Sequence, residues 1–221
     1  MKVASIINRF KKAKNKHGIS GLPKQINTRI RITMKNKWRS VFNDYNHVWV
    51  CDERQSETIL PEGITIEHYQ KLEEIPRKAV DKMVEELGDS ASEWLNKEFS
   101  EKSVLWLLYV NGEFVARQFI RHGKYFDKWF IPIRDKDYVF MAAGTFPEFR
   151  GQGLSPLLKR AIMYHETRNG GLAYVDCKVW NQPAIRALKK NNFRHLATMR
   201  NYWEGDSVKE RIKIAFKKLV K

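Results

Sequence analysis

Cysteine, long apolar runs and early acidic residues are all scarce in this chain of 221 residues, and each scarcity excludes something. The two cysteines, Cys51 and Cys177, are too few and too far apart for a disulfide framework or a cysteine metal cluster. They fit reduced thiols in a cytoplasmic protein, and no metal is expected. No apolar stretch approaches the ~20 residues that span a bilayer. The first residues lack the apolar core of ~7–15 residues of a secretory signal, so none is expected. Acidic residues are nearly missing from the first fifty positions, where 12 Lys/Arg face only Asp44, a net of +11. The remaining residues hold 29 Lys/Arg against 24 Asp/Glu, a net of +5 within a total of +16. The positive excess therefore belongs to an N-terminal segment suited to an anionic surface, either membrane headgroups or nucleic acid. No internal repeat or low-complexity tract is present.

A hydrophobic content of 43% with 12% aromatics is that of a folded protein. "MKVASIINRFKKAKNKHG" sets Val3, Ile6, Ile7 and Phe10 on one helical face among lysines, a short basic amphipathic helix or a solvated arm. A second basic stretch, Lys24 to Arg39, precedes "VFNDYNHVWVCDE", which reads as a strand. Pro61 and Gly63 mark a boundary. Beyond it, "ITIEHY" alternates like a strand, and "LEEIPRKAVDKMVEELGDS" reads as a helix with Ile75, Ala79, Met83 and Leu87 in a stripe stopped by Gly88. "SEWLNKEF" adds a helical turn or two. Two apolar runs around Asn111-Gly112 predict a hairpin. "DYVFMAAGTF" is a further strand, "SPLLKRAIMYHETRNG" a helix, "LAYVDCKVW" a strand, "NQPAIRALKKNN" a helix and "FRHLATMRNYW" a last strand. The tail "DSVKERIKIAFKKLVK" repeats the basic amphipathic pattern. The expected layout is a basic extension with a strand over 1–62, an α/β domain over 63–203, and a basic helix over 204–221. Its sheet is mixed, with an antiparallel group followed by a strand-helix-strand unit.

The stretch "GTFPEFRGQGLSPLL", Gly144 to Leu158, carries the strongest chemical signal. Pro147 ends a strand, Gly151 and Gly153 remove side chains from the turn, and a helix opens near Leu154. Backbone N–H groups in such a turn, with the helix dipole behind them, suit a pyrophosphate, and Arg150 adds a positive charge. Two glycines before a helix also fit a plain structural turn.

This stretch resembles the acyl-CoA-binding motif of the GNAT acyltransferase superfamily, with Arg150, Gly153 and Ser155 in its defined positions. Ser155 replaces a glycine or alanine and remains compact. About thirty residues on, "DCKVWNQPAIRALKKNNF" is similar to the superfamily's second signature through Asn181, Ala184 and Phe193, with Asn192 in place of glycine. Asparagine tolerates the left-handed conformation of a helix end. The resemblance covers roughly Gly63 to Trp203. It implies a GNAT-like α/β fold, a mostly antiparallel central sheet flanked by helices, with acetyl-CoA or another acyl-CoA as co-substrate. It implies that the backbone of Gly144, Thr145 and Phe146 pairs with the pantetheine arm. The amides of Arg150, Gly151, Gln152, Gly153, Leu154 and Ser155 would hold the pyrophosphate. Asn181 would lie near the thiol end, and it also fits a helix N-cap.

The implied reaction is direct attack of an amine on a thioester, which needs a neutral amine, a polarised carbonyl and a proton for the thiolate. Many members supply that proton from a tyrosine seven residues after the asparagine; here the position is Leu188. A thiol pKa near ~8.5 lets the thiolate leave unaided. Asp176 is the first candidate base, in the late strand where relatives often carry a carboxylate. His165 follows on the helix after the glycine loop, and His122 ends the second hairpin strand. Each also fits an ordinary surface or packing role. Cys177 points to the face opposite Asp176 and reads as core. The aromatics from Tyr125 to Phe130 either line the acceptor cleft or cap the sheet.

The expected function is transfer of an acetyl group to a small primary amine. The organisation also resembles bacterial GNAT proteins of surface-polysaccharide biosynthesis, which implies an amino-sugar acceptor and peripheral contact of the basic ends with the inner membrane face. Two other classes fit less well. One is a non-catalytic acyl-CoA-binding protein, consistent with the missing tyrosine. The other is a nucleic-acid-binding or tRNA-associated transferase, consistent with the basic ends but not with the absence of interleaved stacking aromatics.

Overall fold

The computed structural model describes residues 45–53, 55–88, 90–126, 129–166, 168 and 170–200. The two amphipathic stretches predicted near the chain ends, and the basic stretch from 24 to 39, lie outside these residues.

Turn chemistry sets most of the local structure. Asn111 and Gly112 both adopt positive φ, 49° and 76°, the pair a tight type I′ hairpin requires. They join β3 (Val104–Val110) to β4 (Glu113–His122). Pro76 divides the long helix expected from residue 72. It disfavours helical backbone at the preceding residue, and Ile75 is extended at φ −75°, ψ 130°. A single 3-10 turn, Leu72–Glu74, therefore precedes α1 (Arg77–Leu87), which ends at Gly88 with φ 88°. Ala79 and Met83 of the expected stripe are buried on α1, whereas Leu87 is exposed. The "turn or two" after it is a full helix, α2 (Ala91–Ser100), with Leu95 buried and Glu93 in its first turn.

The remaining elements are β1 (Tyr45–Cys51), β2 (Ile64–Tyr69), β5 (Tyr138–Thr145), α3 (Leu154–Glu166), β6 (Ala173–Lys178), α4 (Gln182–Lys190) and β7 (Arg194–Arg200). They build one seven-stranded sheet in the order β2-β3-β4-β5-β6-β1-β7. Every neighbouring pair is antiparallel except β5–β6. β5, α3 and β6 thus form the strand-helix-strand unit expected from the element order. The strand Tyr45–Cys51 lies inside the sheet, between β6 and β7, so one of the seven strands comes from the segment before Gly63.

Alternation along the strands splits the core into two layers. On one face, Leu157, Leu158, Ile162 and Met163 of α3 and Ile185 and Leu188 of α4 pack on Trp106, Ile120, Tyr138, Phe140, Val175 and Cys177. On the other, Ala79 and Met83 of α1 and Leu95 of α2 pack on Leu105, Leu107, Phe119 and Phe146. Burying each large side chain contributes about 1.5–3 kcal/mol, so the two layers hold the sheet rigid around the place where two strands part.

Candidate active site

β5 and β6 are paired over three positions only: Tyr138↔Ala173, Val139↔Tyr174 and Phe140↔Val175. Beyond Phe140 they diverge. β5 also breaks register with β4 here, between Arg117 and Phe119, and Ala142 takes a φ of 49°. A left-handed alanine costs roughly 1–2 kcal/mol, strain of the sort that collects at functional sites. Ala142 and Ala143 are exposed, in the opening between the strands.

β5 leads from this opening into the glycine loop. Pro147–Phe149 forms a 3-10 turn, Gly151 and Gly153 adopt φ of 84° and 76°, and α3 begins at Leu154. A β-carbon at either glycine would meet no atom within 4 Å, so the loop faces open space. Among the described residues, no backbone carbonyl accepts from the amides of Gly151, Gln152, Gly153, Leu154 or Ser155. Those amides and the α3 dipole make a cradle for an anion. Arg150 is exposed beside it, with Nε donating to the Thr145 carbonyl at 2.9 Å.

The three residues expected to pair with the pantetheine arm differ in what the fold leaves open. At Gly144, a β-carbon would lie 2.6 Å from the guanidinium of Arg117, which would have to shift to admit one. Thr145 is half-buried and lends its carbonyl to Arg150. Phe146 departs from the expectation. Its amide donates to Val115 O at 3.1 Å, its carbonyl accepts from Phe149 N at 3.0 Å, and its ring is buried against Phe114. The turn at Pro147 pulls Phe146 back against β4, and it props the loop from beneath.

The second signature is built around α4. Asn181 is its N-cap, with Oδ1 accepting from Ala184 N at 3.3 Å. Asn181→Ala is expected to lower unfolding free energy by about 1 kcal/mol, with Asn181→Asp restoring it, as read by denaturant melts. Leu188, at the position where the sequence resemblance implies a tyrosine, is buried in the α3–α4 core layer. Asn192 has φ 59°, the left-handed conformation its position requires, and donates to Glu53 at 2.7 Å.

The three candidate acid–base residues occupy different places. Asp176 is the first residue of β6 past its last pair with β5. Its carboxylate accepts from Asn46 Nδ2 at 2.6 Å. Burial pushes its pKa up, against the opposing pull of Lys178 and the Asn46 hydrogen bond. His122 and His165 both bind Glu166, His122 Nε2 at 3.0 Å and His165 Nδ1 at 3.3 Å. Burial of Glu166 works against its ionisation, but its bonds to the two histidines prevail and hold its pKa down. Glu166 closes α3, and the helix rise of ~1.5 Å per residue sets it about 18 Å from Leu154. His122 pairs with Tyr138, at the closed end of the β5–β6 pair. The histidines are thus together, and apart from Asp176 and the glycine loop. Cys177 lies in the α3–α4 core layer, its thiol pushed up to about 11 by burial. Of the aromatics between Tyr125 and Phe130, Trp129 caps the sheet, its ring 5.8 Å from that of Tyr174.

No family model and no curated protein matches the sequence. Solved structures do match in shape. A GNAT-family protein from Novosphingobium aromaticivorans superposes with a TM-score of 0.50 at 18% identity, over 71% of this chain and 61% of that one. A GCN5-related N-acetyltransferase from Sphaerobacter thermophilus gives 0.50 at 17% identity, over 70% and 49%. The GCN5-related glucosamine N-acetyltransferase region of a fungal multi-domain GH3 β-N-acetylglucosaminidase gives 0.53 at 11% identity, over 72% and 20%. The fold is the GNAT fold. The chain spans less than two thirds of the length of each of these structures.

Within this GNAT fold, four polar residues stand at the opening that the sequence did not single out. Asn46 comes from β1 and is buried; it lies 130 positions from Asp176 and left no local signal. Arg117 pairs with Glu86 at 2.5 Å. Gln118 faces the β5 bulge, and Lys159 of α3 donates to it from within the core. Lys159 did leave a trace, since it falls four residues after Ser155 and three before Ile162, on the buried stripe of α3.

Proposed function

We propose that this protein transfers an acetyl group from acetyl-CoA to a small primary amine by direct attack within a ternary complex. The observation that carries the reading is the parting of β5 from β6 beside a glycine loop whose amides face open space. The amides of Gly151 to Ser155 hold the pyrophosphate, Arg150 screens its charge, and the backbone of Gly144 and Thr145 lies along the pantetheine arm. Asn181 anchors the start of α4 next to the thiol end. Asp176 is the base. Its raised pKa makes it a stronger proton acceptor than an exposed carboxylate, and Asn46 holds its orientation. Asp176 takes a proton from the amine as the N–C bond forms. The C–S bond then breaks and the thiolate leaves, taking its proton from solvent, which a thiol pKa near ~8.5 permits. With Leu188 buried, no hydroxyl from α4 is called on.

The acceptor we favour is an amino-sugar precursor of envelope polysaccharide, met in the cytoplasm with the basic ends at the inner membrane face. The similar organisation of polysaccharide-associated GNAT sequences supports this, as does the glucosamine acceptor of one structural neighbour. The test is thiol release from acetyl-CoA against a panel of amino sugars, sugar nucleotides, amino acids and polyamines. Turnover on an amino sugar well above the others is expected. CoA binding with no turnover on any amine would assign the chain to acyl-CoA sensing instead.

A further inference from the structure

Four charged side chains are buried among the described residues: Arg117, Arg121, Asp137 and Lys159. Three face an opposite charge, Arg117 with Glu86, Arg121 with Glu98 and Glu101, and Asp137 with Arg134. Lys159 faces none. Its ammonium donates to Gln118 Oε1 and sits 5.0 Å over the Phe140 ring. Packing does not demand a lysine here, because a methionine fills a similar volume at no charge cost. A buried cation kept without a counter-ion calls for another reason.

Gln118 supplies the direction of that reason. It is 1% exposed and sits where β4 and β5 lose register. Its Nε2 donates to the Met141 carbonyl and, at 2.9 Å, to the Phe119 carbonyl. The Met141 carbonyl belongs to the peptide whose N–H is that of Ala142. Ala142 is the exposed, left-handed residue just past the last β5–β6 pair. Lys159, Gln118 and this peptide form a series of hydrogen bonds headed by a charged donor. Such series strengthen cooperatively in a low-dielectric interior, and charged donors give the stronger links. The pull on the Met141 oxygen leaves the Ala142 N–H more positive. A fixed donor of this kind stabilises the charge that gathers on an acyl oxygen under attack.

We propose that Lys159 is a positioning residue for acyl transfer: through Gln118 it fixes and polarises the Met141–Ala142 peptide at the head of the β5–β6 opening, for the acyl carbonyl. The proposal rests on the acetyltransferase reading above. The groups around Lys159 leave its charge uncompensated. Among the described residues, β4 sets Gln118 and β5 the Phe140 ring against it, and neither carries a charge. On α3 itself, Arg160 turns to Asn191, and Glu166 is held by His122 and His165. Burial brings the Lys159 pKa down to about 8, so the cation is lost as pH rises through that value.

Lys159→Met and Gln118→Glu test the relay from its two ends, since the second keeps an acceptor for Lys159 but removes the donor to Met141. Both should lower kcat about 10- to 100-fold while the acetyl-CoA Kd stays within about threefold. In wild-type protein kcat should fall on the alkaline side near pH 8, and Lys159→Met should lack that limb. The carbonyl stretch of bound carbon-13-labelled acetyl-CoA should lie below that of the free compound, and return toward it in both variants. Unchanged kcat, or the same infrared band in wild type and variants, overturns the role of Lys159. So does a loss of kcat matched by an equal loss of acetyl-CoA affinity, which marks a residue that only holds the fold. Absence of acetyl-CoA binding by the wild-type protein overturns the acetyltransferase reading itself, and the relay with it.

Discussion

Gly153→Glu is expected to weaken acetyl-CoA binding by at least about 100-fold while leaving the protein folded. Backbone strain and charge both act at this position. Gly153 has φ 76°, so any other residue there accepts left-handed strain of about 1 kcal/mol. The space around its β-carbon is open, so the glutamate adds no clash to that strain. What it adds is a carboxylate beside the amides proposed to hold the pyrophosphate. Two unit charges 4 Å apart repel by roughly 4 kcal/mol at an effective dielectric of about 20, and each ~1.4 kcal/mol is a factor of ten. Gly153→Asn separates strain from charge, because asparagine tolerates the conformation and brings no charge. Titration calorimetry with CoA should show near-normal binding for the asparagine variant and almost none for the glutamate variant. CoA binding that survives in the glutamate variant would mean that the cradle is not where the pyrophosphate sits.

Asp176→Asn carries the second large effect. Removing a general base typically costs about 10²–10⁴-fold in rate, and kcat should fall by that order with CoA affinity retained. The pH profile gives the sharper reading. Burial holds the Asp176 pKa above the ordinary carboxylate value, so its basic form is present above the shifted pKa and lost below it. The acid limb of kcat/KM should therefore lie above the usual carboxylate range in wild-type protein and vanish in Asp176→Asn. The sign for stability is opposite to that of a salt-bridged carboxylate. A raised folded-state pKa means that ionising Asp176 opposes folding, so the neutral asparagine should leave the melting temperature unchanged or higher at pH 7. A variant that melts early and loses activity in proportion would make Asp176 a structural residue.

These two residues were visible in the sequence for different reasons. Gly153 stands in a local pattern, strand, turn and helix start, whose conformations are dictated within about ten residues. Asp176 was legible as a carboxylate in the late strand, where the resemblance to GNAT sequences implies one. That its carboxylate stands at the opening, with Asn46 upon it, required the pairing of β6 with β1. The two histidines show the converse. As titratable residues on the helix after the glycine loop and at the end of the second hairpin strand they read as candidates, and the fold gathers them around Glu166 at the far end of α3. Phe146 likewise read as backbone for a ligand until the turn at Pro147 closed both of its peptide groups onto the protein.

By itself the sequence determined the hairpin at Asn111-Gly112, the glycine loop, the cap at Asn181, the left-handed Asn192 and most strand and helix identities. All of these follow from short-range sterics, capping and periodicity, which act between residues close along the chain. Only the tertiary structure decided that Tyr45–Cys51 enters the sheet between β6 and β7. It also decided where β5 leaves β6, and that Lys159 reaches Gln118 beneath that opening. Strand pairing buries the same alternating faces whichever neighbour is chosen, so the order of strands depends on how all layers close together. A lysine on the apolar stripe of a helix hints at burial, but which group its ammonium meets depends on that closure.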